Sequence, residues 1–172
     1  PEQATPRQAA CLTGKDTGSA AECRAGVLLA RVKPADYEGT VVACEDVDLA
    51  FTRLLEVFAA ERYSHPRGIS RRAQVSDTAV LGRDVSVGPF AVVSDGVHIN
   101  DGAIIYPGVF IGPNCRIGAR TLLYANCCIH EDTHIGADCI LHYNCSIGAD
   151  GFGFHQHEGR HVKRHHLGSV RI

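Results

Sequence analysis

The sequence predicts a mainly β protein: a left-handed parallel β-helix preceded by a small, incomplete α/β domain. Three observations predict it. Ile, Leu or Val occupies every sixth position from Ile69 to Ile147 without a slip. The residue two before each of these, from Ala73 to Cys145, is small or β-branched, and Gly follows the aliphatic at 82, 88, 112, 118, 136 and 148. Ahead of this run, residues 23–61 read as strand, strand and helix.

Composition sets outer bounds. The 172 residues are 45% hydrophobic and 21% charged, ordinary for a globular protein. A net charge of −2 excludes a nucleic-acid binder held by bulk charge. No apolar run approaches the roughly 20 residues of a membrane-spanning helix, and Pro1-Glu-Gln-Ala-Thr-Pro6 has no apolar core of a signal peptide. The chain contains no Met. The last residues, Ser169-Val-Arg-Ile172, read as a repeat cut off as it restarts, so the expectation is a fragment truncated at its C-terminus.

Residues 1–22 are small and polar without a lasting period, and are expected to be a loose lead-in. Ala25 to Val32 reads as a buried strand, Lys33 to Gly39 as a turn, and Thr40 to Cys44 as a second strand. Asp46 or Asp48 is expected to cap a helix running to about Ala60, because a side-chain oxygen there can accept from free amide donors. Phe51, Leu54, Leu55 and Phe58 are expected to share its apolar face. The segment 23–61 is too small for a good core of its own.

A period of six fits neither one long helix nor one long strand. It fits short strands joined by tight corners, three per turn of 18 residues, each side sending one aliphatic inward to stack on its copy roughly 4.8 Å away. Such corners need positive φ or close backbone approach, hence Gly and Asn. Residues 62–172 form this second domain. The hand is an exception to the right-handed crossover rule.

The same frame places the cysteines. Cys115, Cys127, Cys139 and Cys145 fall at the small inward position, where a thiol behaves as a small hydrophobe. That favours reduced core residues in a cytoplasmic protein over a secreted disulfide framework. Cys128 is off this position, and no cysteine pair has metal-ligand spacing.

After Ile147 the rhythm stops, and residues 149–169 are expected to loop out of the coil. Five of the ten His lie in 155–166, beside Arg160, Lys163 and Arg164. Three readings are open: a solvated loop, a cationic patch for phosphates or an acidic partner, and a metal site from His155, His157 and His161, which no carboxylate or thiol completes. His130 and His142 each follow an inward aliphatic, at a corner. Tyr106, Tyr124 and Tyr143 are expected on one exposed side, as interface material.

Hexads of this kind resemble those of hexapeptide-repeat acyltransferases, most of which are trimers. More narrowly, Ile147-Gly-Ala-Asp-Gly-Phe-Gly-Phe154, Gly159-Arg-His-Val-Lys163 and Leu167-Gly-Ser-Val-Arg-Ile172 resemble the UDP-3-O-(3-hydroxyacyl)glucosamine N-acyltransferase family of lipid A biosynthesis. So do Gly88-Pro-Phe-Ala-Val92, Tyr124-Ala-Asn126 and Ile129-His-Glu131, while residues 24–51 resemble the later part of that family's uridine-binding domain. The sequence departs from the family where His161-Val-Lys-Arg-His-His166 replaces a Trp-Val-Lys-Ile-Pro-Gln loop. It departs again in residues 1–22, which lack the family's uridine-stacking aromatic.

The resemblance implies transfer of a 3-hydroxyacyl chain from acyl carrier protein to the 2-amine of a UDP-3-O-acylglucosamine, by a homotrimer in a Gram-negative cytoplasm. It implies no metal and no cofactor beyond the 4′-phosphopantetheine that enters on the carrier. It places substrate contacts at Asp150, Gly151, Phe152, Gly153 and Phe154. Its catalytic His falls beyond Ile172, so the chain as given is expected to be an incomplete, poorly active form, with His130 and His142 as weak in-chain candidates for the general base. An acidic carrier makes Lys163, Arg164 and Arg171 candidate contacts by charge. The alternatives are another hexapeptide acyltransferase using coenzyme A, a β-helical metal enzyme, and a noncatalytic paralogue.

Overall fold

The computed structural model describes residues 4–13, 20, 22–62 and 65–172. It divides into two compact units, residues 1–64 and 65–172.

The first unit is a three-stranded parallel sheet in the order β1 (Ala9–Cys11), β2 (Val27–Ala30), β3 (Thr40–Ala43), followed by α1 (Val47–Arg62). Residues 9–11, expected within a loose lead-in, pair instead with 27–29, because Ala-Ala-Cys is small and apolar enough to lie beside Val27-Leu28-Leu29. Residues 1–3, 14–19 and 21 of that expected lead-in lie outside the described residues. Leu28 is wholly buried, and Tyr37 closes the core by donating its hydroxyl to the Ala25 carbonyl at 2.5 Å. Asp46, not Asp48, caps α1: its Oδ1 accepts from Leu49 N at 2.9 Å. The buried side of the helix follows Val47, Ala50, Phe51 and Leu54, against β1 and β2. Leu55 and Phe58 were expected on that face but are exposed. Leu55 is rotated about 100° from Leu54, and Phe58 stands a further turn along.

The second unit is a left-handed parallel β-helix of two-residue strands. Its three sheets hold five, four and four strands, each strand pairing in parallel with strands eighteen residues away. The inward aliphatics therefore form three columns. Val75, Val93, Ile111, Ile129 and Ile147 form one, Leu81, Ile99, Ile117 and Ile135 the second, and Val87, Ile105, Leu123 and Leu141 the third. Ile111, Ile117, Ile129, Ile105 and Leu123 are completely buried. Ile69 starts the third column by bridging Val87. The thiols of Cys115 and Cys127 lie inside as expected, and all eight cysteines are free.

The corners divide their labour between two positions. From Asp84 to Asn144, every sixth residue takes positive φ, including the non-glycines Phe90 (φ 61) and Arg120 (φ 57). The glycines that follow the aliphatics serve close approach instead: a Cβ at Gly118 would overlap the carbonyl carbon of Gly136 in the next rung. Among these only Gly148 has positive φ, 84°, and there the chain leaves the coil.

Candidate functional site at the break in the repeat

The small inward residues form a regular set of hydrogen bonds to the rung above. Cys115 Sγ donates to His130 O at 2.9 Å, Thr121 Oγ1 to Gly136 O at 2.7 Å, and Cys127 Sγ to His142 O at 3.1 Å. Each acceptor lies fifteen residues on. The next member would be Thr133 to Gly148, but Gly148 turns away into the insert. Thr133 Oγ1 is left fully buried with no partner, 2.7 Å from where a Cβ of residue 148 would stand.

His130 sits on the corner beneath this departure. Its Nε2 lies 3.4 Å from Ser146 Oγ and 4.0 Å from Cys128 Sγ. Register explains the cluster, since Ser146 stands directly over Cys128 in adjacent strands. His142 occupies the equivalent corner of another side. Its ring stacks on Tyr124 at 5.3 Å and 6°, Tyr124 packs on Tyr106 at 4.9 Å, and Tyr106 takes the His65 ring edge-on. His65 Nδ1 and Tyr106 Oη are hydrogen-bonded at 2.9 Å. Tyr143 joins this stack 4.7 Å from Tyr124. Tyr106 and Tyr124 are half-buried and only Tyr143 is exposed, because the rings cover one another. Burial pushes the Tyr106 hydroxyl above its ordinary pKa, helped by Tyr124 and Tyr143.

The insert is not a featureless loop. Phe154–His157 and Arg160–Lys163 pair as an antiparallel hairpin. Its two turn residues, Glu158 (φ 48) and Gly159 (φ 72), both take positive φ, as a type I′ turn requires. Register splits the three histidines: His161 faces Gln156, whereas His155 and His157 fall on the opposite side with Val162 and Arg160. They do not converge, and no group of three or more His, Cys, Asp or Glu poised for a metal occurs among the described residues.

The Gln156 side carries the chemistry. Phe152 and Phe154 pack at 5.0 Å, His161 meets Phe154 edge-on at 6.4 Å, and these three with Gln156 line an open hollow of about 680 Å³. Phe152 is 96% exposed. Asp150 anchors the insert's base by accepting from Lys163 Nζ, with His166 Nδ1 3.9 Å away. The Lys163 hydrogen bond and charge hold the Asp150 carboxyl below the usual carboxylate range, aided by His166 and His165. Arg164 N donates to Gly153 O at 2.8 Å, and the His166 ring flanks Gly151 and Gly153. The coil resumes when His134 N donates to Val170 O at 2.9 Å and Ile172 N to His134 O at 2.9 Å, setting Ile172 on Ile135.

Asp150 to Phe154 thus stand together at the base and wall of the insert. Lys163 is engaged by Asp150, and Arg171 bridges His134 where the coil resumes. Sequence reasoning missed Gln156 and His161 as lining residues. The signal was present, since alternate positions of two short β-prone segments separated by Glu-Gly share one face.

Residues 78–113 and 114–149 each match the bacterial transferase hexapeptide family (six repeats). No curated protein matches the chain. Among solved structures, the chain is similar to an Arabidopsis UDP-N-acetylglucosamine acyltransferase at 23% identity and a TM-score of 0.44, over 49% of this chain and 31% of that one. It therefore spans less than a third of that relative. PerB of Caulobacter crescentus, in complex with CoA and GDP-perosamine, is 20% identical over 80% of this chain and 89% of that one, with a TM-score of 0.32. The acetyltransferase domain of PglB from Neisseria gonorrhoeae, in complex with acetyl coenzyme A, is 18% identical over 83% and 93%, with a TM-score of 0.30.

Proposed function

We propose that this chain belongs to an N-acyltransferase of lipid A biosynthesis, moving a 3-hydroxyacyl group from acyl carrier protein to the 2-amine of a UDP-3-O-acylglucosamine in the cytoplasm. The observation that carries the reading is the insert: the Gly-Ala-Asp-Gly-Phe-Gly-Phe segment leaves a transferase hexapeptide coil and presents a phenylalanine-walled hollow beside an anchored carboxylate. In this reading Phe152 and Phe154 receive apolar chain, and Gly151 and Gly153 keep the backbone open to the acceptor.

The amine attacks the thioester carbonyl, and the C–S bond breaks as the tetrahedral intermediate collapses. The amine's proton goes to a base and the leaving thiolate is protonated. Among the in-chain imidazoles, His130 is the better placed acceptor, because Ser146 can orient it. His142 is occupied by its stack on Tyr124. Self-association fits the sheet bearing Ile104, Leu122 and the 62% exposed Ile140, next to the Tyr106–Tyr124–His142 corner. No described helix is long and apolar enough to cross a membrane.

The test is product formation by the full 172-residue chain. With 3-hydroxyacyl carrier protein and the UDP-3-O-acylglucosamine amine, N-acylated sugar nucleotide and free carrier thiol should accumulate together, slowly, because the catalytic His that the resemblance implies lies outside these residues. Transfer from acetyl coenzyme A but not from the carrier overturns the reading in favour of a coenzyme A-dependent acetyltransferase, and failure to bind either the carrier or the UDP-sugar overturns it in favour of a noncatalytic coil.

A further inference from the structure

The three outer faces of the coil differ in chemistry in a way the inward hexads conceal. The outward strand residues of one sheet are Gln74, Val92, Phe110, Cys128 and Ser146. Those of the second are Ser86, Ile104, Leu122 and Ile140. None of these is charged. The third sheet carries Val80, then His98, Arg116, His134 and Arg171, each directly opposite the next in parallel register. Every basic outward strand residue of the coil is therefore gathered into one straight ladder. His98, Arg116 and Arg171 are exposed and His134 is half-buried. No ion pair engages any of the four among the described residues, although Arg83 and Arg120 on the corners are paired with Asp101 and Asp138.

We infer that this ladder is a docking surface for an acidic α-helix of a partner protein, laid along the coil axis. The proposal stands apart from the acyl-transfer reading and survives its failure. Spacing is the first argument. Adjacent strands lie about 4.8 Å apart, so the four residues span about 14 Å in nearly equal steps. A helix with carboxylates at i, i+3, i+7 and i+10 places them on one face at steps of about 4.5–6 Å, over about 15 Å. Rung and carboxylate thus meet one to one.

Charge and shape give the second argument. Arg116 and Arg171 offer planar forks that take a carboxylate by two hydrogen bonds, and His134 between them and His98 at the end supply N–H donors. On the side after the inward aliphatic the first corner residue is small, Gly82, Asn100, Gly118 or Gly136, and the charges beyond it are paired with each other as Arg83–Asp101 and Arg120–Asp138. On the other side stand Asp77, Asp95 and Glu131. They repel an anionic partner from that corner and hold its helix over the strands.

The experiment uses the full chain and two fluorescent peptides of identical composition, followed by anisotropy at low salt. One is a stabilised 15-residue helix with Glu at i, i+3, i+7 and i+10, and the other scatters the same Glu around the helix. The patterned peptide should bind about tenfold more tightly than the scattered one, each tenfold being a single well-made contact. Arg116→Gln should weaken it about tenfold and Arg116→Gln with Arg171→Gln further. Arg116→Lys, which keeps the charge but loses the fork, should recover only part of the affinity, and Arg67→Gln, off the ladder, should change nothing. Unchanged circular dichroism and melting of the variants show that the coil is intact. Equal binding of the two peptides, or affinity indifferent to Arg116, overturns the proposal. So does Arg116-dependent binding of inorganic polyphosphate or anionic vesicles as tight as that of the patterned helix, since the face then reads charge alone.

Discussion

Thr133 Oγ1 lies buried and unpartnered directly beneath Gly148, where the run of bonds that Cys115, Thr121 and Cys127 make to corner carbonyls fifteen residues on breaks off. The missing bond is the local cost of starting the insert. It gives two opposite expectations. Thr133→Val keeps the shape and removes the orphaned hydroxyl, so it should raise stability by about 1 kcal/mol in urea unfolding. Gly148→Ala should lower it by about 2 kcal/mol, since φ is +84° and the new methyl meets Thr133 Oγ1. A Thr133→Val protein less stable than the parent would show that the hydroxyl is satisfied by bound water.

The columns predict a sharp contrast between inner and outer aliphatics. Ile111→Ala empties a fully buried place between Val93 and Ile129 and should lose about 2–5 kcal/mol. Ile140→Ala, more than half exposed, should stay within about 0.5 kcal/mol in the monomer. Thermal melts of the pair at a concentration where the protein sediments as monomer check this.

For transfer chemistry, His130→Ala should cut kcat by about a hundredfold or more, the usual contribution of a positioned proton acceptor. Ser146→Ala should lower kcat but leave some activity, because it removes only the hydrogen-bonding partner 3.4 Å from the ring. His142→Ala should change kcat little. If His142→Ala is the silent variant's opposite and abolishes turnover while His130→Ala does not, the assignment of the base reverses.

The base of the insert should loosen in acid. Lys163 lowers the Asp150 pKa, so this tether contributes fully above the ordinary carboxylate pKa of about 3.9 and is lost as pH falls through the depressed folded value. Hydrogen exchange of residues 150–166 should therefore be unchanged between neutral pH and pH 5, after correction for intrinsic rates. It should accelerate at lower pH, and at all pH values in Lys163→Gln.

Cys127 predicts an alkaline limit. Burial first, then the neighbouring Cys145 thiol 3.4 Å away, pushes it up to about 12. The stability this gives is complete below the unfolded thiol pKa of about 8.5 and is lost as pH rises towards 12. Alkylation mapped by mass spectrometry at pH 8 should spare Cys127 in the folded chain and label it after unfolding.

Much of this architecture is written plainly in the residues. The unbroken aliphatics from Ile69 to Ile147 define the columns because an inward position in a narrow coil tolerates nothing polar and large. The departure at Gly148 is equally visible, as is the Asp46–Val47 start of α1. Other features depend on partners far along the chain. Leu55 and Phe58 fit a helical stripe yet turn outward, since a periodic pattern does not say which arc meets the sheet. The hairpin's two faces, and hence the parting of His161 from His155 and His157, follow from register across Glu158-Gly159, where local composition is uninformative. The ladder of His98, Arg116, His134 and Arg171 escapes a reading in sixes, because its spacing emerges only when three sides are counted together and the insert is skipped.

Ile172 lands on Ile135 after the detour, so the excursion leaves the winding in phase. Each rung of such a coil touches only its immediate neighbours. Appendages of other lengths could therefore be spliced between Gly148 and Val170 without retuning the scaffold, provided they deliver the strand back in step. Evolution, or an engineer, can thus exchange the recognition element of this molecule as a detachable head.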